Sequence, residues 1–206
     1  MGDNGSTHRV NIRSFALSRT EITQRQWKAV MGNNPSEFKS CGEQCPVDNI
    51  SWDDAQEFVR KLSLKTGQSY RLPTESEWEY ACRANSRNEH CGSNYVNDVA
   101  WYGAMTAPAG NSQKTTNRVG LKQPNAWGLY DMSGNVWEWT QDCWNDNYSG
   151  APIDGTAWNA GQCGHHVLRG GSWLYSAQLT RAATRIHYAS TFRLNILGLR
   201  VARSYQ

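Results

Sequence analysis

The sequence lacks the features that mark several large classes of protein. Its 206 residues contain no apolar run that approaches the length of a membrane span. The 21 basic and 18 acidic residues leave a net charge of only +3, so nucleic acid is not an expected partner. A phosphate-binding glycine loop, a Ser-His-Asp order and a histidine–carboxylate metal set are also missing. The expected organisation is therefore one globular domain over residues 1–206.

The six cysteines include no Cys-x-x-Cys pair, and His165-His166 stand alone, so a zinc site is not expected. The cysteines fall as three local pairs: Cys41 with Cys45, Cys82 with Cys91, and Cys143 with Cys163. An even number in a polar, Trp-rich chain is compatible with disulfides in an exported protein, although six cysteines allow fifteen connectivities. The bridge Cys41–Cys45 is the most natural local one.

Three helix starts carry the pattern of a capping box, in which two side chains satisfy the first free amides. The paired positions are Thr23 with Gln26, Ser51 with Asp54, and Thr74 with Glu77. The first helix is expected to run to about Met31 and the second to stop at Gly67. In the third helix, Trp78 and Ala81 are expected to face inward.

Four segments are predicted to be strands: Val10 to Leu17, the region of Trp137 and Trp139, Val167 to Trp173, and Leu197 to Ala202. Long loops are predicted between them, because residues 32–49, 85–123 and 145–164 are polar or punctuated by Gly and Pro. Ten Trp and eighteen Gly indicate a core of large aromatic side chains joined by many tight turns.

The C-terminal stretch from Arg169 to Gln206 alternates between fixed positions and irregular runs. The fixed positions are RGGSW at 169–173, Arg181, Arg185, Arg193 and GLRVAR at 198–203. The runs between them mix apolar, hydroxyl, imidazole and amide side chains with neither a helical nor a strand period. Such runs are typical of exposed positions that serve contact rather than packing.

Two alternatives stay open for this stretch. Leu174, Ile186 and Ile196 could be core residues of ordinary strands. The three interior arginines could bind an anionic ligand, or they could be structural and bond loop carbonyls and carboxylates through their planar guanidinium groups.

Several motifs in a fixed order resemble the formylglycine-generating enzyme (sulfatase-modifying factor) family over nearly the whole chain. They are RLPTESEWE at 71–79, NAWGLYDM at 125–132, GNVWEW at 134–139, RGGSW at 169–173 and GLR at 198–200. The resemblance implies an α+β, C-type-lectin-like fold of that enzyme's subtype, with much irregular structure. It also implies a possible calcium site, and the matching positions here are Asp131, Gly134, Val136 and Glu138. The alternative is that Asp131 and Glu138 are capping and ion-pair residues.

The enzyme of that family oxidises a substrate cysteine with two cysteines and copper, and the matching positions here are Tyr175 and Thr180. Neither side chain can form the thiolate that binds a soft metal or attacks as a nucleophile. We therefore expect no formylglycine-generating activity, no catalytic residue and no required cofactor.

The C-terminal stretch is similar to a narrower group, the variable proteins of diversity-generating retroelements. In that group, mutagenesis directed at adenines diversifies AAC-type codons, which cannot yield Lys, Glu, Gln, Met or Trp. The candidate positions use none of these residues, and the variable region would span about 169–206. They are Leu174, Tyr175, Ser176, Leu179, Thr184, Ile186, His187, Tyr188, Phe192, Leu194, Asn195 and Ile196.

This resemblance implies a non-catalytic protein that binds a protein or other macromolecular ligand through a diversified face. Tyr and Phe offer contact area with few rotatable bonds, and exposed aliphatic residues such as Leu194 and Ile196 would add an apolar patch. Relatives on bacterial surfaces suggest an extracellular lipoprotein, anchored through a lipid on a removed leader. The alternative is an enzyme-family relative with a cysteine-independent enzymatic or accessory role, which metal-dependent turnover insensitive to the variable runs would reveal.

Overall fold

The computed structural model describes residues 8–103, 105 and 110–205, which form short helices and strands joined by long loops. Its helices within this range are α1 (Gln24–Met31), α2 (Trp52–Thr66), α3 (Glu75–Arg83) and the single turn α4 (Val96–Val99). Two 3-10 turns lie at Lys39–Cys41 and Ala177–Thr180. The predicted α+β class with much irregular structure is confirmed.

The three predicted capping boxes all form. In α2, the Ser51 hydroxyl accepts from the Asp54 N–H at 3.1 Å, and Asp54 accepts from the Ser51 N–H at 3.0 Å. Thr23 and Thr74 cap α1 and α3 in the same way. The first two helices end at Gly32 and Gly67, whose φ angles of 83° and 69° suit glycine. The turn α4 lies in a segment predicted to be loop and short strands, because one helical turn is too short to show a period.

The strands in the described residues form three small sheets. They are β1 (Phe15–Leu17), β2 (Tyr70–Arg71), β3 (Ala100–Trp101), β4 (Ser133–Gly134), β5 (Trp137–Trp144), β6 (Gln162–Arg169), β7 (Arg185–Ala189), β8 (Leu197–Gly198) and β9 (Ala202–Ser204). The orders are β1-β9-β2, β3-β4 and β7-β6-β5-β8. In the four-stranded sheet, β6 is antiparallel to β5 and β7, whereas β8 is parallel to β5.

Three predicted strands have different bounds in the structure. The strand from Val10 forms only at Phe15–Leu17, because its partner β9 is three residues long. The strand predicted at Val167 to Trp173 begins at Gln162 and ends at Arg169. The strand predicted at Leu197 to Ala202 is two strands, because the chain leaves β5 after Gly198 and joins β1 and β2 at Ala202.

Large aromatic side chains fill the main core cluster, as predicted. Trp27 and Phe58 stack with ring centroids 5.0 Å apart, which joins α1 to α2. Trp137 and Trp139 of β5 are both fully buried although they alternate with the equally buried Glu138. Both faces of β5 are therefore covered, one of them by the Trp78 side of α3. Trp78 and Ala81 are buried, as predicted.

All six cysteines form disulfides, and the bridges join the three local pairs: Cys41–Cys45, Cys82–Cys91 and Cys143–Cys163. The bridge Cys41–Cys45, which was predicted as the most natural local one, is therefore confirmed. No helix within the described part of the chain combines the length and the apolar character needed to cross a membrane.

Candidate functional site

A buried arginine begins the C-terminal stretch and holds the loop that follows it. Arg169 ends β6 and is fully buried, and its guanidinium donates to Glu79 of α3 at 2.6 Å. The same guanidinium donates to the carbonyls of Ala182, Ala183 and Thr184 at 2.9–3.0 Å. One side chain therefore fixes both a helix and the segment that enters β7.

The two glycines after Arg169 make the sharp turn that leaves β6. Gly170 and Gly171 have φ angles of 98° and 84°, a region that residues with a side chain rarely adopt. A β-carbon on Gly171 would lie 2.8 Å from the carbonyl oxygen of Leu179. The RGGSW motif therefore forms a turn, and residues 179–180 pack closely against its second glycine.

The three interior arginines bond other parts of the chain, which confirms the structural alternative. Arg185 is buried and donates two hydrogen bonds to Glu75, at 2.8 and 3.0 Å. Arg193, half exposed, makes a two-bond pair with Asp54 at 2.7 and 2.8 Å. Arg181 donates to the carbonyl of Gln178 at 3.0 Å.

Asp142 of β5 lies beside the Arg185–Glu75 pair and carries a shifted pKa. Its carboxyl accepts from the backbone N–H groups of Glu75 at 2.7 Å and Trp158 at 2.9 Å. Burial raises the pKa of Asp142 to about 7, and the Glu75 charge adds to the rise. The buried group formed by Arg185, Glu75 and Asp142 therefore contains a carboxyl group whose pKa is near neutral pH.

The predicted calcium ligands are Asp131, Gly134, Val136 and Glu138. Both carboxylate oxygens of Glu138 accept from Arg200 at 2.6 Å. Asp131 accepts from the Gly120 N–H at 2.7 Å, and burial raises its pKa to about 6. Within the described residues, no three His, Cys, Asp or Glu side chains are grouped so that they could hold a metal ion. The Arg200 pair accounts for the charge of Glu138. Gly134 and Val136 could bind calcium only through main-chain oxygens, which a grouping of side chains does not count, so the calcium site stays a prediction.

Ten of the twelve candidate positions are half-buried or exposed, and two are buried. Phe192 is the most exposed of the large side chains among them, at 51%. Ile196 is 2% exposed and belongs to the main core cluster, so the expectation that it forms part of an exposed patch is wrong. The residue precedes β8 and its carbonyl accepts from Trp137, which draws the side chain into the core. Thr184 is 8% exposed, and its hydroxyl donates to Gln178.

The candidate residues of β7 divide between the two faces of the sheet. In the antiparallel register, Ile186 lies opposite Leu168, His187 opposite Val167 and Tyr188 opposite His166. Because successive strand residues point to opposite faces, Ile186 and Tyr188 share a face that His187 does not. His187 stacks on Trp144 instead, with centroids 4.2 Å apart.

Three aromatic candidates come together on the Tyr188 side, and we call Tyr175, Tyr188 and Phe192 the aromatic patch. The rings of Tyr188 and Phe192 stack with centroids 5.9 Å apart. Burial raises the pKa of Tyr188, and hydrogen bonding to Tyr175 adds to the rise. Leu174 and Leu194 pack against the main core cluster, as do Tyr175 and Tyr188. The face thus combines aromatic and aliphatic surface from three separate runs.

A loop that is distant in sequence holds the candidate run at residues 174–176 through its backbone carbonyls. The carbonyl of Leu174 accepts from the Met105 N–H at 3.1 Å, and that of Tyr175 accepts from the Gly103 N–H at 2.7 Å. These donors lie in a polar loop that was predicted without any supporting role. Pairings this far apart in sequence leave no local pattern.

The candidate run at residues 194–196 is also held by its backbone carbonyls. The carbonyl of Leu194 accepts from the Asn49 N–H at 3.0 Å, and that of Asn195 accepts from the Trp173 indole at 2.9 Å. The carbonyl of Ile196 accepts from the Trp137 N–H at 2.7 Å. Together with the Arg169 bond to Thr184, six candidate positions are fixed by their carbonyl oxygens.

The positions that match the family's two cysteines are filled by side chains with other contacts. Thr180 is fully buried, and its hydroxyl lies 3.1 Å from Nδ1 of His90 and donates to the Ala177 carbonyl. Tyr175 belongs to the aromatic patch. Since every cysteine of the chain is in a disulfide, no thiol is present to take over the chemistry of the enzyme.

Comparison with known proteins gives consistent matches. The family described as sulfatase-modifying factor enzyme 1-like domain matches residues 1–205. The solved structure of Treponema denticola variable protein 1 is similar with a TM-score of 0.88 and 31% identity, covering 98% of this chain and 90% of that one. The similarity confirms the predicted C-type-lectin-like fold of the formylglycine-generating enzyme subtype.

Two characterised relatives differ in how much of their length is matched. Chaperone protein LppX of Paenibacillus barcinonensis is 32% identical over 97% of this chain and 83% of its own length. Formylglycine-generating enzyme of Mus musculus is 37% identical over 117 residues, which is 50% of this chain and 29% of the enzyme. The match to LppX thus spans most of both proteins, whereas the match to the enzyme spans a minor part of it.

Proposed function

We propose that this chain, which belongs to the sulfatase-modifying factor enzyme 1-like family, is a non-catalytic ligand-binding protein whose C-terminal runs are diversified by a retroelement. The observation that carries the proposal is the backbone support of those runs. Six candidate positions are held by their carbonyls, and at the four that are only partly buried, Leu174, Tyr175, Leu194 and Asn195, this support does not require a particular side chain. The extensive similarity to a variable protein supports the same function.

The binding face in this proposal is the aromatic patch with the adjoining Leu174 and Leu194. Its aromatic rings provide large contact area at a small loss of rotamer freedom. The paired arginines beneath and beside it hold the face before a ligand arrives, which reduces the ordering cost of binding. Ile196 and Thr184 are left out of the face because they are buried, and His187 belongs to the opposite side of β7.

A macromolecular ligand suits this face better than a small molecule. Contributions come from three runs and lie on a surface rather than in an enclosed cleft, whereas small ligands are usually bound in concave pockets. Aromatic residues, in turn, are enriched at protein interfaces.

Display on the outside of a cell is the setting that we propose for this function. Three disulfides are stable in an oxidising compartment and rare in a reducing one. We further propose attachment through a lipid on a leader. Recovery of the native protein in the detergent phase of a cell extract, and its removal from intact cells by added protease, would be expected.

Sequencing the 3′ end of the gene and its flanking DNA, from many cells of one culture, tests the diversification. Substitutions are expected to cluster in the codons for the ten accessible candidate positions and for Thr184 and Ile196, opposite adenines of a nearby near-copy. The codons for Arg169, Arg185 and Arg200 serve as internal controls and should be constant. An invariant stretch without a template copy would contradict the proposal.

A further inference from the structure

A second surface of the molecule has the form of a binding site and shares no residue with the candidate positions. It is a groove of about 740 Å³ between the α1–α2 pair and the β1-β9-β2 sheet. This volume lies in the range of sites for small ligands, about 300–1,000 Å³. The groove lies at the end of α2, where Leu62, Lys65 and Thr66 line it, whereas the turn between Tyr188 and Phe192 contacts the start of α2 through the bond from the Trp52 N–H to the Ser190 carbonyl.

The groove has an apolar interior. Its deepest residues are the buried Ile22, Phe58 and Val201, and the half-buried Leu17, Val30 and Leu62 form its walls. Phe58 is buried, and its ring is held by stacking on the buried Trp27. Both flanking helices begin at complete capping boxes, which fixes their first turns. The groove is therefore a formed feature of the fold.

Two cations stand at the groove, and no carboxylate lines it. The ammonium of Lys65, in the last turn of α2, donates to the Ala29 carbonyl at the end of α1, at 3.0 Å. Arg203 of β9 lies opposite Ala16 and Tyr70 in the sheet register, and its guanidinium donates to the Gln68 amide at 2.7 Å. Among the fifteen lining residues there are two basic side chains and no acidic one.

We infer that this groove binds a free, single-chain amphiphile with an anionic head, such as a long-chain fatty acid. The alkyl chain would lie along the apolar floor, where each buried methylene contributes to binding. The carboxylate would accept from Lys65 or Arg203, whose present partners are a carbonyl and a neutral amide. Exchange of a neutral acceptor for a carboxylate gives a stronger, charge-assisted hydrogen bond.

The test is a fluorescence titration of the full chain with cis-parinaric acid below its critical micelle concentration. We expect saturable binding of one molecule per chain, displaced by palmitate. The corresponding fatty alcohol, which keeps the chain and lacks the charge, should compete at least roughly tenfold less well.

Two substitutions locate the site, and one residue supplies the control for both. Lys65→Glu should weaken binding at least roughly tenfold, and Ala29→Trp, which fills the groove mouth from an exposed helix position, should abolish it. Lys28→Glu and Lys28→Trp are the controls, because Lys28 is also exposed and in the last turn of its helix but does not line the groove. Neither control should change the affinity, and circular dichroism should report all four variants folded.

Three results would overturn the inference. The first is the absence of saturable binding by wild-type protein. The second is equal competition by acid and alcohol together with full binding by Lys65→Glu, which would assign the groove to neutral apolar ligands. The third is flotation of the protein with anionic phospholipid vesicles but no binding of the monomeric probe, which would mean a membrane-docking surface.

Discussion

Three arginines of the C-terminal stretch and most of the candidate side chains between them occupy the same strands and turns but have opposite surroundings. Arg169, Arg185 and Arg200 are buried and paired with carboxylates of α3 or β5. Most of the candidate positions between them are at least partly exposed, and the chain holds them through their backbone. If the proposed function is right, stability and recognition depend here on different atoms of neighbouring residues.

The largest expected effect is that of Arg200→Ala. This change leaves the fully buried Glu138 without its partner, and the loss of one member of a buried ion pair costs about 3–5 kcal/mol. We expect the free energy of unfolding in urea to fall by that amount. Arg193→Ala is the matched control, because the same kind of pair is half exposed there and should contribute less than about 1 kcal/mol. Similar losses for the two variants would break the comparison.

Ile196→Ala should come next, although Ile196 is a candidate position. Its side chain is buried in the main core cluster, and truncation of a buried isoleucine costs about 2–5 kcal/mol. Denaturant unfolding measures the change, and Leu194→Ala, two residues earlier and half-buried, is the control with a smaller expected loss. If Ile196→Ala lost less free energy of unfolding than Leu194→Ala, the assignment of Ile196 to the core would be contradicted.

Asp142→Asn should alter the pH dependence of stability. Because the folded pKa is about 7 and the unfolded one about 3.9, the folded state holds the extra proton between these values. The wild type should therefore lose stability as pH rises from 5 to 7, by up to about 1.4 kcal/mol per pH unit from this group. The variant should lack that contribution.

The control for this experiment is Asp154→Asn. Hydrogen bonds from Thr156 lower the pKa of Asp154, so its charge is the same at both pH values. Unfolding in urea at pH 5 and pH 7 gives the two differences to compare. Parallel behaviour of wild type and Asp142→Asn would contradict the assignment.

The smallest expected effect on stability is that of Phe192→Ala. The ring is half exposed, so its removal should change the free energy of unfolding by no more than about 0.5–1 kcal/mol. Once a ligand is in hand, the same change should weaken its binding by a larger free energy, measurable by calorimetry. His187→Ala is the control, because His187 lies on the opposite face of β7 and should leave the affinity unchanged.

Local chemistry explains which parts of the fold were predictable from the sequence. The helix starts at Thr23, Ser51 and Thr74 were correct because a capping box lies within four residues of chain. The strand from Val10 was too long because its length depends on β9, which lies almost 200 residues later. An apolar alternation shows that a strand can form, but its partner decides where it stops.

The same limit applies to the candidate surface. The irregular runs could be recognised by their composition, and the geometry of the guanidinium group made a structural role of the arginines one of two alternatives. The sequence left open whether Ile196 is a core or a surface residue, and its burial bears out the core alternative; the choice depends on its bond to Trp137, in a strand some sixty residues earlier. The partner of Glu138 could not be identified from the sequence for a similar reason, since Arg200 reaches it from the far end of the chain.

The carbonyl contacts have a consequence for how errors in the gene are tolerated. A carbonyl oxygen is the one acceptor that all twenty residues possess, and even proline, which has no N–H to donate, retains it. A missense change at Leu174, Tyr175, Leu194 or Asn195 therefore cannot remove the carbonyl acceptor through which the backbone is held at that position. The donors come from Met105, Gly103, Asn49 and Trp173, outside the candidate set. A mutagenic process confined to those runs would replace their side chains and keep both the acceptor and the donor of each of these four hydrogen bonds.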